Sequence, residues 1–137
     1  MSEKEIVLAG VKYQKHKNGG GLVAETAQVD ESAYVGPEAR VYEQAKVSGQ
    51  ARIEGQAQVS GQAEVSDQAV ISDEARVFAR ARVYEQAKVS GQARIYGLAK
   101  VYGKAQICDT IEVSGASEIF GKSKYKGNML IAVDHHG

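Results

Sequence analysis

The sequence predicts an all-β solenoid of short stacked strands, and three observations predict it. From Val23 onward every sixth residue is aliphatic: 18 of the 19 positions through Ile131 are Val or Ile, with Tyr125 the exception. The residue two places before each of these is alanine at all 14 positions from Ala27 to Ala105, after which Ile111, Ser117, Ser123 and Met129 continue the phase. Nine of the 15 glycines (Gly49, Gly55, Gly61, Gly91, Gly97, Gly103, Gly115, Gly121 and Gly127) share one further phase. No insertion breaks this register over more than 100 residues.

A period of six is divisible by two and not by 3.6, which excludes helix for the whole stretch. Ala-x-Val puts two apolar side chains on one face of a short strand and the middle residue outside. The three residues that follow, typified by Ser-Gly-Gln, are turn formers in which glycine is free to take positive φ. Each hexad is therefore a short flat side and a corner. Such a unit cannot bury its own apolar face, and stacking is what buries it. Aromatic residues make up only 7% of the 137-residue chain and Trp is absent, which suits a narrow interior filled with Ala, Val and Ile.

Before the repeat, residues 1–22 read as a capping segment. Within it Glu5–Lys15 forms an extended stretch or a small hairpin about Ala9-Gly10, placed to cover the first coil. Gly19-Gly20-Gly21 lacks the Lys and Ser/Thr of a phosphate loop and reads as a flexible lead-in. Residues 23–131 form the coils and 132–137 a tail. Near the far end Lys122, Lys124 and Lys126 look like edge-blocking charges, with Met129–Ile131 folding across the last coil.

Hexads such as VSGQAR (Val47–Arg52) and VYEQAK (Val83–Lys88) resemble those of the hexapeptide-repeat family. The resemblance covers roughly residues 21–131. It implies a left-handed parallel β-helix, triangular in section, with three hexads per coil. On that plan the chain makes about six coils, roughly 29 Å of axis at ~4.8 Å per coil. Gly19–Ala24 (GGG-x-V-A) also resembles the lead-in of short hexapeptide-repeat proteins of bacteria and their phages.

Many family members are trimeric acyltransferases that use coenzyme A and a catalytic histidine near a subunit interface; others are carbonic anhydrases with three metal-binding histidines. Residues 23–131 contain no histidine, since His16 precedes them and His135 and His136 follow. No catalytic residue is therefore carried over from the family, and no metal site or cofactor is expected. Acyl transfer needs a general base, and His16 is the one remotely placed candidate, although its surroundings, KYQKHKNGGG, read as a solvated loop. The single Cys108 occupies a corner position filled elsewhere by Ser, Tyr, Glu or Gly, and it has no disulfide partner. That favours a reducing, cytoplasmic setting. The start shows no signal peptide and no stretch reaches the length of a membrane span.

Function is then sought where stacked positions depart from the consensus. Residues 39–53 and 81–95 are identical, yet they lie on different sides of the prism, so the shared string is fold consensus. With inward residues Val29, Val35 and Val41 defining sides A, B and C, each recurring every 18 residues, aromatic side chains gather at two corners. Tyr84, Tyr102 and Phe120 stack at the corner after side A; Phe78, Tyr96 and Leu98 cluster at the corner after side C. These corners flank side A and are expected to form a subunit interface in a homotrimer, because exposed apolar patches mark contacts.

Charge is the second departure. The chain has 17 basic and 17 acidic residues, a neutrality that argues against a DNA-wrapping protein and against binding of extended nucleic acid. The total nevertheless hides a local −5 over residues 54–74 beside a local +6 over residues 75–105. Part of it cancels where Lys46, Glu64 and Arg82 stack in alternating sign on side A. The rest points to an anion site in an intersubunit groove built from Arg76, Arg80, Arg82 and Arg94, whose guanidinium forks suit phosphate or carboxylate. Three functions follow in order: a non-enzymatic structural or protein-interaction solenoid; a protein binding a small anionic ligand or nucleotide; and an acyltransferase with its base outside the coils.

Overall fold

The computed structural model describes residues 6–133, and among them every regular element is a β-strand. A hairpin comes first, with β1 (Ile6–Leu8) antiparallel to β2 (Val11–Lys15). Ala9 and Gly10 turn it with φ of 51° and 80°, the twist that two-residue hairpins require. The chain then enters β3 (Leu22–Ala24), β4 (Gln28–Val29), β5 (Tyr34–Val35) and β6 (Arg40–Val41). From there a strand follows in each hexad and pairs in parallel with the strand 18 residues on, as Gln28–Val29 does with Lys46–Val47.

Three parallel sheets result, and the chain forms a three-sided β-solenoid of about six turns. Side A begins at β4 and side B at β5, with six strands each; side C contains β3 and β6 and, with the hairpin, reaches nine. The alanines and aliphatics of successive hexads fill the interior, and from Ala33 to Val113 nearly all have no accessible surface. Each two-residue strand is too short to be stable alone. Its backbone is satisfied by the coils above and below, and the corner is closed by its own bond, as in Ala63 N–H to Ser60 C=O at 3.2 Å.

The second residue of each corner carries most of the conformational demand. Gly49, Gly61, Gly91 and Gly103 take φ of 64° to 69° there, and so do Glu43, Asp67, Asp73, Ala79, Glu85 and Asp109 at 58° to 61°. From Glu43 onward the glycine phase read from the sequence is thus one position in a left-handed conformation whether or not glycine fills it; Glu25, Glu31 and Pro37, in the same phase of the first corners, do not adopt it. Five of the six non-glycines are acidic, and each accepts the amide of the corresponding residue one coil on. The distances are 2.8 Å for Glu43 and Gly61, 3.0 Å for Asp67 and Glu85, 2.9 Å for Asp73 and Gly91, and 2.8 Å for both Glu85 with Gly103 and Asp109 with Gly127. These corner amides donate to no backbone carbonyl among the described residues. The carboxylate therefore supplies the missing acceptor, which offsets the cost of a side chain at positive φ.

The hairpin about Ala9-Gly10 sits at the first coil, where β2 pairs antiparallel with the free edge of β3, prolongs side C and buries Tyr13. The Gly19–Gly21 segment is not a flexible lead-in. Val35 N–H donates to Asn18 C=O at 3.0 Å and Gly21 N–H to Val35 C=O at 2.9 Å, so the segment caps the free edge of β5. A Cβ on Gly19 would collide with the Val35 carbonyl, and one on Gly21 with the Gly36 carbonyl. At the other end Met129–Ile131 do not fold across the last coil. Leu130–Val133 pairs in parallel with Glu112–Gly115 and continues side C. Lys122, Lys124 and Lys126 are all exposed there, with Lys124 on the last strand of side B. His135 and His136 lie outside the described residues.

Candidate functional site

The four arginines proposed as one anion site are divided among three places. Arg76 and Arg94 are register partners on neighbouring strands of side C. Arg80 is at the corner after side C, where its Nε–H donates to Gln62 Oε1 at 3.1 Å. Arg82 lies on side A beside Glu64, with Nε 3.9 Å from Oε1. On side A the register runs Lys46–Glu64–Arg82–Lys100–Glu118, with signs that alternate except where Arg82 meets Lys100.

The aromatic residues stack as the period requires, one ring per coil. Phe78 and Tyr96 lie with centroids 4.9 Å apart and planes 7° from parallel. Tyr84 and Tyr102 are also 4.9 Å apart at 6°, and Phe120 continues the column 5.5 Å from Tyr102. The hydroxyls then show which way the columns lean. Tyr96 donates to Glu112 on side C and Tyr102 to Glu118 on side A, each at 3.0 Å. The two columns therefore border different sides, and Phe78 and Tyr96 belong with Arg76 and Arg94. Side A is bordered by Tyr84, Tyr102 and Phe120 at one corner, and by Leu98, just ahead of its strand Lys100–Val101, at the other.

The Tyr102 phenol is held above the ordinary phenol pKa, first by the hydrogen bond to Glu118 and then by burial within the column. Tyr84 is also raised, chiefly by burial and then by the charges of Glu85 and Glu118. The partners Glu112 and Glu118 do not stand out in the sequence read residue by residue. The signal that finds them is a corner tyrosine followed 16 residues later by Glu or Gln, which also gives Tyr42 and Gln58 at 3.0 Å. Tyr84 meets Lys100 at that spacing and has no such acceptor.

A groove of about 630 Å³ runs along the axis on side C. Arg76 and Arg94 form its floor with Gln58 and Glu112, and its wall is the row of third corner residues that includes Glu74, Gln92 and Thr110. Glu74 Oε1 accepts from Gln92 Nε2 at 3.0 Å, which links two coils of the wall.

Elsewhere the chemistry is sparse. His16 is half-buried rather than a freely solvated loop residue: its ring Nε2 is 2.8 Å from the Ala33 carbonyl, and its backbone bonds Gly20 and Gly21. It lines a hollow at the first coil, above Val23, Ala27 and Val29. Cys108 lies 3.4 Å from the Tyr125 carbonyl, in a corner that runs in register with the others. Among the described residues no group of three or more His, Cys, Asp or Glu is arranged to hold a metal ion, and no helix is long and apolar enough to cross a membrane. The chain matches no known protein-family profile, and no curated protein or solved structure matches it either.

Proposed function

We propose that this protein is a non-catalytic β-solenoid that acts through protein–protein contact, associating with copies of itself across side A. One observation carries the reading. Outside the terminal strands, Leu98 and Phe120 are the large apolar side chains left more than half exposed among the described residues, at 54% and 55%, and both border side A. Between them run charged residues of both signs, so the face has apolar ridges around a polar strip that a second copy can match by rotation. Interfaces concentrate aromatic residues, and exposed apolar ridges mark contacts. Three copies around a closed axis is the stoichiometry implied by the hexapeptide-repeat resemblance, and a cytoplasmic setting suits the unpaired Cys108.

Light scattering on a sizing column tests this. The wild type is expected at three times the chain mass of 14.7 kDa. Tyr84→Lys with Tyr102→Lys is expected to run as a monomer with an unchanged β-sheet spectrum, because both rings lie outside the core. A variant that stays trimeric rejects side A as the contact, and a monomeric wild type rejects self-association.

A further inference from the structure

We propose that the groove on side C binds a hydroxyl-rich anion, a sugar acid or sugar phosphate, whose charged group is taken by Arg76 and Arg94 together. The proposal concerns a different face from the self-association surface and stands or falls separately. It begins with a comparison among the arginines of the coils. Arg52 pairs with Glu54 and lies 4.4 Å over the Tyr34 ring, Arg80 bonds Gln62, and Arg82 pairs with Glu64. Arg40, Arg76 and Arg94 make no side-chain hydrogen bond and no ion pair among the described residues; Arg40 stands alone between Leu22 and Gln58, whereas Arg76 and Arg94 share one groove with Glu74 and Glu112. Arg76 and Arg94 are direct register partners one coil apart. Like charges placed opposite one another on paired strands destabilise a sheet. Glu112, its other register partner, offsets this for Arg94, but Arg76 has only the neutral Gln58 there. The two guanidinium forks, hydrogen-bonded to nothing among the described residues, can be presented to a single anionic group, the geometry in which arginine binds carboxylate and phosphate.

The remainder of the groove selects what accompanies the charge. No apolar side chain lines it, which disfavours a greasy ligand, and no aromatic face opens into it on which a base could stack. Gln92 offers a remaining N–H donor and its carbonyl acceptor, and Thr110, whose hydroxyl donates to the Gly127 carbonyl, offers an acceptor. Glu74 and Glu112 each use one oxygen on Gln92 and Tyr96, which leaves the other to accept from a hydroxyl. Amides and carboxylates around a cationic pair suit a polyol with one negative group. The two glutamates count against a second negative group, so a sugar bisphosphate gains nothing over the monophosphate. A volume of about 630 Å³ has room for a monosaccharide, and a bare phosphate would leave most of it as water.

Calorimetric titration of the full chain with galacturonate, glucose 6-phosphate, glucose and inorganic phosphate tests the proposal. At least one of the two charged sugars should bind saturably, more tightly than inorganic phosphate, while glucose does not bind. Which of the two binds distinguishes a carboxylate ligand from a phosphate one. Arg76→Gln and Arg94→Gln should each weaken that binding at least about tenfold, whereas Arg80→Gln and Arg82→Gln leave it unchanged. A second readout separates binding from architecture: without ligand, Arg76→Gln should unfold at higher urea than the wild type, because the repulsion from Arg94 is relieved and the other register partner, Gln58, is neutral. The proposal is overturned if neither charged sugar binds, if glucose or phosphate binds as well, if Arg82→Gln is as damaging, or if Arg76→Gln lowers the urea midpoint.

Discussion

Replacing Gly103 by alanine and, separately, by aspartate isolates the two forces at the second corner position. Gly103 has φ of +69°, and a Cβ there would lie 2.8 Å from Gly121 N and 3.2 Å from Gly121 O. Alanine therefore incurs the left-handed backbone, about 1–2 kcal/mol, and must lift the next coil by a few tenths of an ångström, roughly a further 1 kcal/mol. The sum is about 2–3 kcal/mol. Aspartate incurs the same costs but adds a carboxylate that can accept the Gly121 amide, as Glu85 one coil earlier accepts that of Gly103 at 2.8 Å. At an exposed corner that bond restores about 1 kcal/mol or somewhat more, and Lys104 and Lys122 beside it favour the charge. With a urea slope of about 2 kcal/mol/M, Gly103→Ala should lower the midpoint by about 1 M and Gly103→Asp by about half as much. Urea unfolding followed by tyrosine fluorescence and circular dichroism measures both, with equal slopes as the condition for comparison. If aspartate proves as damaging as alanine, the carboxylate–amide bonds between coils contribute nothing, and the account of the five acidic corners fails.

Two further outcomes follow from the core and from the aromatic column. Ile71 is fully buried on side B between Ile53 and Val89, so Ile71→Ala should cost about 3–4 kcal/mol, whereas Val70→Ala on the outer face should cost roughly 0.5 kcal/mol or less in the same urea assay. Tyr102, with a pKa raised in the folded chain, retains its proton more tightly folded than unfolded. Its contribution is therefore complete below the ordinary phenol pKa of about 10 and is lost as pH rises through the raised value. The urea midpoint should fall on that alkaline side, and Glu118→Gln should bring the Tyr102 absorbance titration back toward the usual phenol range; an unchanged titration in that variant would assign the shift to burial alone.

The parts of this fold that were legible in the sequence share one physical origin. Ala57 and Val59, Ala75 and Val77, Ala93 and Ile95 each occupy identical interior sites, and an interior of constant width admits only those volumes. The period therefore records the core directly. The hairpin was legible for a local reason, because Ala9-Gly10 sits between two apolar runs. Direction at the corners was not legible. Spacing assigns Tyr96 and Tyr102 to equivalent positions at different corners, but the side each ring leans over depends on an acceptor in the next coil, Glu112 or Glu118. The period does put Arg76 and Arg94, 18 residues apart, on one side, but it could not show that Arg80 and Arg82 are engaged by Gln62 and Glu64 while Arg76 and Arg94 have no such partner.

Charge shows most clearly what the third dimension adds. The acidic stretch contains Glu54, Glu64, Asp67, Asp73 and Glu74, and every one of them is occupied within the protein. Glu54 is paired with Arg52, Glu64 with Arg82, Asp67 with the Glu85 amide, Asp73 with the Gly91 amide, and Glu74 with Gln92. Two of the five acids thus satisfy corner amides, a need set by the backbone. The neighbouring basic stretch has no matching employment: Arg80 and Arg82 are engaged, but Arg76 and Arg94 are not. Two stretches that look like mirror images in composition therefore differ in what they can do. The acidic one is part of the scaffold, and the basic one leaves two guanidinium groups facing solvent, the condition under which an anion from outside can lower the free energy of the folded chain.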